Sequence, residues 1–294
     1  MNRRNVPTIL VLCSLVVGGC ATAPPRLPSS SHDVTGIPPF DAVAAELIAD
    51  FEKACPPIVT ARALVRGRVD RRRIDASFWF GMDTLIRPGF AHRLRLESMD
   101  TGPSGLALLA TYSLTPNTKD EATLLLSDER WVTRSRSREL IELVLGVPLS
   151  SLELRSVLTG CPAFTHGDSK MERFDDATIK LVEQSGDAVL DVFIRRDVIL
   201  SRWAVFAVVG SVPGRPIRWR VDAGKRSHGV LESIRLTSLE SNGRTGRQFD
   251  LTVSFDSIQT PPFGSDLLSL SIPASAETIA IDAARSHIST SLLD

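Results

Sequence analysis

At 294 residues, the chain can hold one large domain or two ordinary ones, and its 43% apolar and 23% charged residues are the balance of a folded globular protein. The 34 basic and 34 acidic side chains cancel, so the overall charge gives no sign of nucleic-acid binding. One local run of arginines is predicted to be a solvated strand edge and turn or, alternatively, a contact for lipid headgroups or a partner: Arg66, Arg68, Arg71, Arg72 and Arg73.

The N-terminus has the pattern of a targeting signal. Arg3 and Arg4 precede an apolar run, Ile9 to Val17, that is too short to span a bilayer in the usual way. The sequence that follows, Val-Gly-Gly-Cys ending at Cys20, resembles the lipobox of bacterial lipoproteins. That resemblance implies a signal peptide over residues 1–19 and lipidation of Cys20, whose acyl chains would anchor the protein in a membrane.

Residues 20–39 are predicted to be the lipidated cysteine and a flexible tether, because five prolines and the run Ser29 to Ser31 cannot bury an apolar face. By resemblance to the same lipoproteins, Ala21 after the cysteine favours transfer to the outer membrane. The expected location is therefore the outer membrane, with the folded domain facing the periplasm.

Two cysteines, Cys55 and Cys161, remain beyond the lipidation site in an expected oxidising compartment. A disulfide between them would join the end of the first helix to the end of the central helical stretch, and two separate buried thiols are the alternative. The chain has no CxxC motif, so a redox enzyme is not indicated.

The domain proper is predicted over residues 40–272. Apolar residues recur at helical spacing from Phe40 to Lys53, and Pro56 and Pro57 end that helix. Six runs with a period of two follow, and the short turns between them indicate an antiparallel meander with one dry face. The first four runs are centred on Ile58 to Val69, Arg73 to Met82, Phe90 to Glu97 and Leu106 to Leu114.

The stretch from Leu140 to Pro162 is the clearest helical segment and divides two sets of strands. Its first helix ends at Gly146 and Pro148, and Ser150 with Glu153 forms a candidate capping box that opens a second. Gly160 suits the left-handed position that ends it.

Beyond this stretch the period of two returns, Leu268, Leu270 and Ile272 are predicted to form the last strand, and residues 273–294 form a C-terminal tail. About eleven strands are too many for a flat sheet. We therefore predict a mainly β (α+β) protein: a curved antiparallel sheet forming an incomplete barrel, with an N-terminal helix and a helical lid inserted after about the sixth strand.

This order of elements resembles the LolA and LolB family, the lipoprotein carriers and receptors of the bacterial lipoprotein localisation pathway, over about Phe40 to Ile272. The family fold is an incomplete antiparallel barrel with a helical lid over an apolar cavity for acyl chains. The most specific likeness is a pattern of glycine, proline, leucine and arginine in the helical stretch: Gly146, Pro148, Leu149, Leu152, Arg155, Leu158, Gly160 and Pro162. The strand and turn from Ala91 to Gly105 are a second match.

The resemblance implies an apolar cavity lined by Phe78, Phe80, Leu94, Leu96, Leu108 and Ala110. The implied lid carries Leu140, Ile141, Val144, Leu149 and Leu152. In the alternative interpretation, the same residues simply pack against one another as a core. The family also implies a membrane-facing loop at Pro103, Ser104 and Gly105, where the small polar Ser104 departs from the bulky apolar residue of the receptor.

No pattern for catalysis or metal binding is found: the five histidines are scattered, and neither HExxH nor a phosphate-binding glycine loop occurs. We expect no catalytic residues, no metal and no cofactor. The expected function is that of a non-enzymatic, outer-membrane-anchored lipoprotein that binds acyl chains of lipoproteins or lipids for transport or insertion. The alternative is a structural or assembly lipoprotein that engages envelope proteins without a lipid ligand.

Overall fold

The structure is a computed structural model, and it describes most of the chain from residue 46 to residue 291. The described residues are 25–28, 46–47, 49–51, 53–83, 91–99, 105–112, 120–127, 130–161, 170–175, 177–185, 188–197, 202–214, 218–224, 226–227, 230–239, 248–261 and 266–291. Residues 1–24, which include the predicted lipidation site Cys20, lie outside them.

The first half of the domain consists of a helix and an antiparallel meander. Helical residues lie between positions 46 and 54, here α1, of which Leu47 and Phe51 are buried. The strands that follow are β1 (Ile58–Val69), β2 (Arg72–Asp83), β3 (His92–Ser98), β4 (Leu106–Tyr112), β5 (Glu121–Leu126) and β6 (Trp131–Arg136).

Two helices separate this meander from a second set of strands. They are α2 (Ser137–Leu145) and α3 (Ser151–Thr159). The second set is β7 (Lys170–Asp175), β8 (Thr178–Ser185), β9 (Ala188–Asp197), β10 (Arg202–Ser211), β11 (Arg218–Ala223), β12 (Arg226–Ser227), β13 (Val230–Leu231), β14 (Ser233–Leu239) and β15 (Phe249–Gln259). A 3₁₀ turn (Asp266–Leu268), β16 (Glu277–Thr278) and α4 (Ile281–Ser291) complete the described elements.

One large curved sheet contains fourteen of these strands, in the order β16-β6-β5-β4-β3-β2-β1-β15-β14-β11-β10-β9-β8-β7. The pairings are antiparallel apart from the parallel pair of β16 with β6. β1 pairs with β2 on one side and with β15 on the other, with Val65 opposite Val253 in the second pair. The two halves of the chain therefore meet at the centre of the sheet.

The strands follow directly from the alternation of side chains. In β15, buried Phe249, Leu251, Val253 and Phe255 alternate with exposed residues, so one face of the strand is dry and the other is wet. The dry faces of the neighbouring strands are continuous, because residues directly opposite in an antiparallel pair lie on the same face. They form the concave side of the sheet, which carries the main apolar core.

Local sequence sets the limits of the two central helices. Ser150 and Glu153 form the predicted capping box, with Ser150 N–H donating to a Glu153 carboxylate oxygen at 2.7 Å. Gly146 and Gly160 end α2 and α3 with φ of 75° and 64°, a backbone conformation that glycine adopts without steric cost.

The predicted fold class is confirmed: the protein is mainly β, with a large unclosed curved sheet and a helical pair inserted after the sixth strand. The sheet has more strands than the approximate count drawn from the sequence. The predicted last strand at Leu268 to Ile272 is wrong, since Leu268 ends a 3₁₀ turn and the residues after it form no strand.

The segment predicted as a C-terminal tail packs on the sheet. β16 pairs with β6, α4 packs against the same strand, and Ala284 and Ile288 of α4 are buried. Among the described residues, no helix has the length and apolar character needed to cross a bilayer.

Candidate functional site

An apolar cavity of about 40 Å³ lies between the concave face of the sheet and the helical pair. The sheet side of its wall comes from central strands of both halves of the chain: Ala63, Val65, Phe78, Phe80, Leu96, Ile234, Leu236, Leu251 and Val253. The helical side consists of Leu145, Val147, Leu154, Val157 and Leu158. Since every lining residue is apolar, the cavity is suited to hydrocarbon.

The predicted cavity residues occupy two places in the structure. Phe78, Phe80 and Leu96 line the cavity. The other three, Leu94, Leu108 and Ala110, are fully buried in the main core but lie outside the cavity wall.

The predicted lid residues pack beside the cavity without lining it. Leu140, Ile141 and Leu149 have no exposed surface, whereas Val144 and Leu152 are half-buried. The neighbouring residues of the same helical stretch form the wall instead, so the helical pair does face the cavity.

The cavity is small. A volume of about 40 Å³ has room for two or three waters, whereas ligand pockets are roughly 300–1,000 Å³. A larger apolar ligand would fit only if part of the helical pair moved away from the sheet. The contacts that attach each helix to the sheet determine which part of the pair can move.

α3 is attached at its C-terminal end. A disulfide joins Cys161, which follows the C-terminal cap of the helix, to Cys55, which follows α1. The Arg226 guanidinium also donates to the Gly160 carbonyl oxygen at 3.4 Å and to the Val205 carbonyl oxygen at 3.3 Å, and a cation at this position suits the C-terminal end of a helix. Burial lowers the pKa of Arg226 to about 10.

One carboxylate, that of Asp120, holds the N-termini of both helices. It accepts hydrogen bonds from the Ser151 hydroxyl, at 2.6 Å, and from the Ser137 hydroxyl. The Ser137 hydroxyl oxygen accepts in turn from the backbone N–H of Ser151 at 2.9 Å. A carboxylate at two helix N-termini is electrostatically favourable, so Asp120 fixes these two ends next to each other.

A buried ion pair joins the two helices. Arg138 Nη2 lies 2.9 Å from Glu153 Oε1, with the two side chains 8% and 0% exposed. Arg138 also donates to the Pro148 carbonyl oxygen. Because removing one partner of a buried pair leaves an uncompensated charge, the pair strongly favours the docked arrangement of α2 on α3.

Arg155, the arginine of the family-like pattern, lies at the centre of a buried polar cluster. Burial lowers its pKa, and the nearby Tyr112, Glu183 and Asp83 oppose that shift. Tyr112 and Asp83 belong to β4 and β2, whereas Glu183 belongs to β8 in the other arm of the sheet. Arg155 therefore connects α3 electrostatically to both arms of the half-barrel.

The C-terminal part of α2 is the least buried part of the helical pair. Residues 142–146 are half-buried, whereas eight of the nine residues of α3 are buried. Gly146 lies against the end of β1: a Cβ added to it would be 3.0 Å from Val69 Cγ1. The helical pair is thus least buried at the end of α2, where Leu145 lines the cavity.

The candidate membrane-facing loop lies mostly outside the described residues. Pro103 and Ser104 belong to the undescribed part, and Gly105 accepts the N–H of Ser127 at 2.7 Å through its carbonyl oxygen. Met99, at the start of this loop, is 45% exposed. It is one of two large apolar residues that are exposed in the described part of the chain.

No metal site is formed by the residues that the structure describes, since no three metal-ligating side chains cluster among them. His92 is buried and stacks on Tyr112 with ring centroids 5.7 Å apart, and His287 packs edge-on against Trp131 at 5.2 Å. Both histidines have packing roles.

Comparison with known proteins relates the chain to others through its fold. No protein-family model and no curated protein matches the sequence. Among solved structures, it is similar to a DUF1329 family protein from Desulfovibrio piger, with a TM-score of 0.51 and 10% identity over 75% of this chain and 95% of that one. It is also similar to an outer membrane lipoprotein-sorting protein domain from Vibrio parahaemolyticus, with a TM-score of 0.50 and 12% identity over 76% of this chain and 93% of that one.

These two neighbours fit a LolA/LolB-like half-barrel, in agreement with the resemblance seen in the sequence. At 10% and 12% identity the likeness is one of fold.

Sequence reasoning missed the second half of the cavity wall. Ile234, Leu236, Leu251 and Val253 come from β14 and β15, which join the first strands only through the distant pairing of β1 with β15. Their alternation predicted buried faces, but no local signal indicated that they lie opposite Leu154 and Leu158. Their position became clear only from the order of the strands.

Proposed function

We propose that this protein is a non-enzymatic acyl-chain-binding lipoprotein of the outer membrane, which takes acyl chains of a lipoprotein or lipid into its half-barrel and passes them on. The observation that carries the proposal is the wholly apolar cavity between the sheet and the helical pair. Its support in the comparisons is a fold shared with a protein described as an outer membrane lipoprotein-sorting domain.

Binding is an exchange of apolar contacts. When the C-terminal end of α2, with Leu145, moves outward, acyl methylenes replace its contacts with the central strands, and each methylene contributes about 0.8 kcal/mol. Such a ligand needs few hydrogen bonds, in keeping with the apolar wall. Anchoring through lipidated Cys20 would keep the domain close to a bilayer, and mass spectrometry of the N-terminal peptide tests that part.

The decisive experiment identifies lipid extracted from the purified full chain by mass spectrometry and measures displacement of a fluorescent fatty acid. Leu154→Ala removes part of the helical wall, so it should lower stability by about 2–5 kcal/mol. The same change enlarges the cavity beside the fixed helix α3, so acyl affinity should rise about tenfold, or about 1.4 kcal/mol.

Leu124→Ala is the matched control, because Leu124 is fully buried on β5 and lies outside the cavity wall. It should cost similar stability and leave acyl affinity unchanged. A wild-type chain that neither carries lipid nor binds the fatty acid, or two variants with the same acyl affinity, would exclude the proposed function.

One observation favours a second candidate function, that of a structural or assembly lipoprotein engaging envelope proteins. The cavity, at about 40 Å³, is small enough for the same side chains to serve as a core. Crosslinking in cells distinguishes the two functions: recovery of protein partners from a chain that carries no lipid supports the second.

A further inference from the structure

The turn between β1 and β2 is a fixed tip at one end of the sheet. Asp70 and Arg71 form the two-residue turn, and Asp70 has a φ of 54°. The Gln248 N–H donates to Asp70 Oδ1 at 2.9 Å, and the Asp70 N–H donates to the Gln248 carbonyl oxygen. The turn is therefore held against the start of β15.

Along the β1–β2 hairpin, the side chains on the convex face change from an ion pair to two facing arginines. Arg66 lies directly opposite Asp75, and the two form an ion pair at 3.2 Å. One step closer to the tip, Arg68 lies opposite Arg73, so two like charges face each other. Like charges directly opposite in a β pair are destabilising.

Among the described residues, neither arginine of this pair forms an ion pair with a carboxylate. Asp250 lies beside Arg68 in the register of β1 with β15, but both of its carboxylate oxygens accept from Arg235 at 2.9 Å. Arg71 and Arg72 add two more exposed cations at the turn. Within the described ranges, none of the four tip arginines forms an ion pair.

The arginine tip, defined as Arg68, Arg71, Arg72 and Arg73, stands beside the movable end of the cavity. Val69 precedes the turn and lies against Gly146, between the cavity-lining Leu145 and Val147. Uncompensated cations thus adjoin the place where an apolar chain would enter. A phospholipid bilayer combines the same two chemistries, phosphate groups at its surface and hydrocarbon beneath them.

We propose that the arginine tip is a docking surface for the anionic headgroups of a phospholipid bilayer and sets the cavity opening at the membrane surface. Guanidinium groups bind phosphate bidentately, and an anionic leaflet attracts each nearby arginine. The apolar cavity beside the tip favours a bilayer over an acidic protein. The inference rests on the proposed function for what enters the opening, whereas docking is measured by itself.

Arginine footprinting tests the docking on the wild-type full chain. The chain is mixed with vesicles of phosphatidylcholine, alone or with about 30% phosphatidylglycerol, and treated with phenylglyoxal, which modifies accessible guanidinium groups. Mass spectrometry should show modification of the arginine tip slowed about fivefold on the anionic vesicles, and unchanged on the neutral ones. Arg62 and Arg134, exposed elsewhere on the same molecule, should react equally on both.

A pair of double variants identifies the residues responsible. Arg68→Gln with Arg73→Gln should abolish the protection of Arg71 and Arg72 on anionic vesicles. Arg62→Gln with Arg134→Gln removes the same charge away from the tip and should retain it. Equal modification on both vesicle types, or loss of protection in the control variant, would overturn the docking surface.

Two further results distinguish membrane docking from free-phosphate binding and from the proposed acyl-chain function. Protection of the tip by inorganic phosphate alone, to the same extent as by anionic vesicles, would identify a free-phosphate site and overturn membrane docking. A chain that binds the fatty acid without protection of the tip contradicts only the docking surface. A chain that is protected but binds no acyl chain contradicts only the proposed function.

Discussion

Tyr112 is a buried side chain whose pKa depends on its burial and on the charged groups near it. It is 2% exposed, its hydroxyl donates to the Asp83 carbonyl oxygen, and it is the single tyrosine of the chain. Burial raises its pKa well above the ordinary value, a shift that Arg155 partly opposes and Asp83 reinforces. The phenol is therefore kept neutral in the fold.

The raised pKa predicts a loss of stability in alkali. Above about pH 10 the unfolded chain ionises Tyr112 while the folded chain does not, so the contribution to stability is complete below that pH and declines as pH rises beyond it. The urea midpoint of the wild type, followed to about pH 11, should fall more steeply than that of Tyr112→Phe. Phenolate absorbance of this one tyrosine should appear only with unfolding.

The same variant also tests the contribution of the Tyr112 hydrogen bond at neutral pH. Tyr112→Phe loses one buried hydrogen bond and should be about 1 kcal/mol less stable there. Parallel pH profiles for the two proteins, or phenolate absorbance in the folded state, would contradict the assignment. Sequence reasoning placed Tyr112 on a strand but could not find its partners, because Asp83 and Arg155 come from other elements.

At the scale of elements, the helical pair divides into a fixed part and a freer part. α3 is held by the disulfide, by Arg226 and by the buried Arg138–Glu153 pair, whereas the C-terminal half of α2 is half-buried. Local unfolding is easiest where few apolar contacts are buried. Opening should therefore pivot on α3.

Hydrogen exchange checks this division. Amides of residues 142–146 should exchange at least about tenfold faster than those of residues 151–161. Arg138→Met should accelerate exchange in α2 further, because it leaves Glu153 buried without its ion-pair partner. Arg66→Met, which breaks the exposed pair with Asp75, should change nothing there. Equal exchange in the two ranges would count against a pivot on α3.

Element limits were predictable where the signal is local. The helix limits are set by residues that are close in sequence: the capping box of Ser150 and Glu153 and the two terminal glycines. These limits could therefore be predicted from the sequence alone. The wrong last strand lacked such a cause: Leu268 is buried, but Arg95 Nη1 donates to the carbonyl oxygens of Leu267 and Ser269 at 3.2 and 2.6 Å. These tertiary bonds hold the segment in a non-strand conformation.

For the whole molecule, an unclosed sheet leaves two edges, and one of them is covered by the C-terminal segment. The Glu277 and Ile279 N–H groups donate to the Arg130 and Val132 carbonyl oxygens of the β6 edge at 2.8 and 2.9 Å, and α4 packs beside them. Free strand edges promote association between chains. The covering segment should keep this edge from pairing with other molecules.

Proline substitutions test the cover. Glu277→Pro with Ile279→Pro removes both donors, so stability should fall by about 2 kcal/mol and the chain should self-associate, as followed by light scattering. Thr278→Pro with Ala280→Pro, at the alternate positions, should stay monomeric. Self-association of both double variants, or of neither, would show that the edge is protected in another way.

The alternation of apolar and polar residues predicted much of this architecture. It indicated the meander, its buried face and its curling around the helical stretch. The pairing of β1 with β15 was not, because strands so far apart in sequence are matched by the shape of the whole sheet. The cavity depends on that pairing, since it brings Val253 opposite Val65. A prediction made from the first half alone therefore placed only part of the wall.

The disulfide has a consequence for the order in which the chain folds. The Cys55–Cys161 bond encloses β1 to β6 with α2 and α3, so this arm can be completed before the strands of the other arm have folded. Until β15 pairs with it, β1 has one unpaired edge. A pairing between strands so distant in sequence gives a high contact order, which slows folding. Arg62, Arg66 and Arg68 are exposed along β1, and charges at such positions oppose β aggregation.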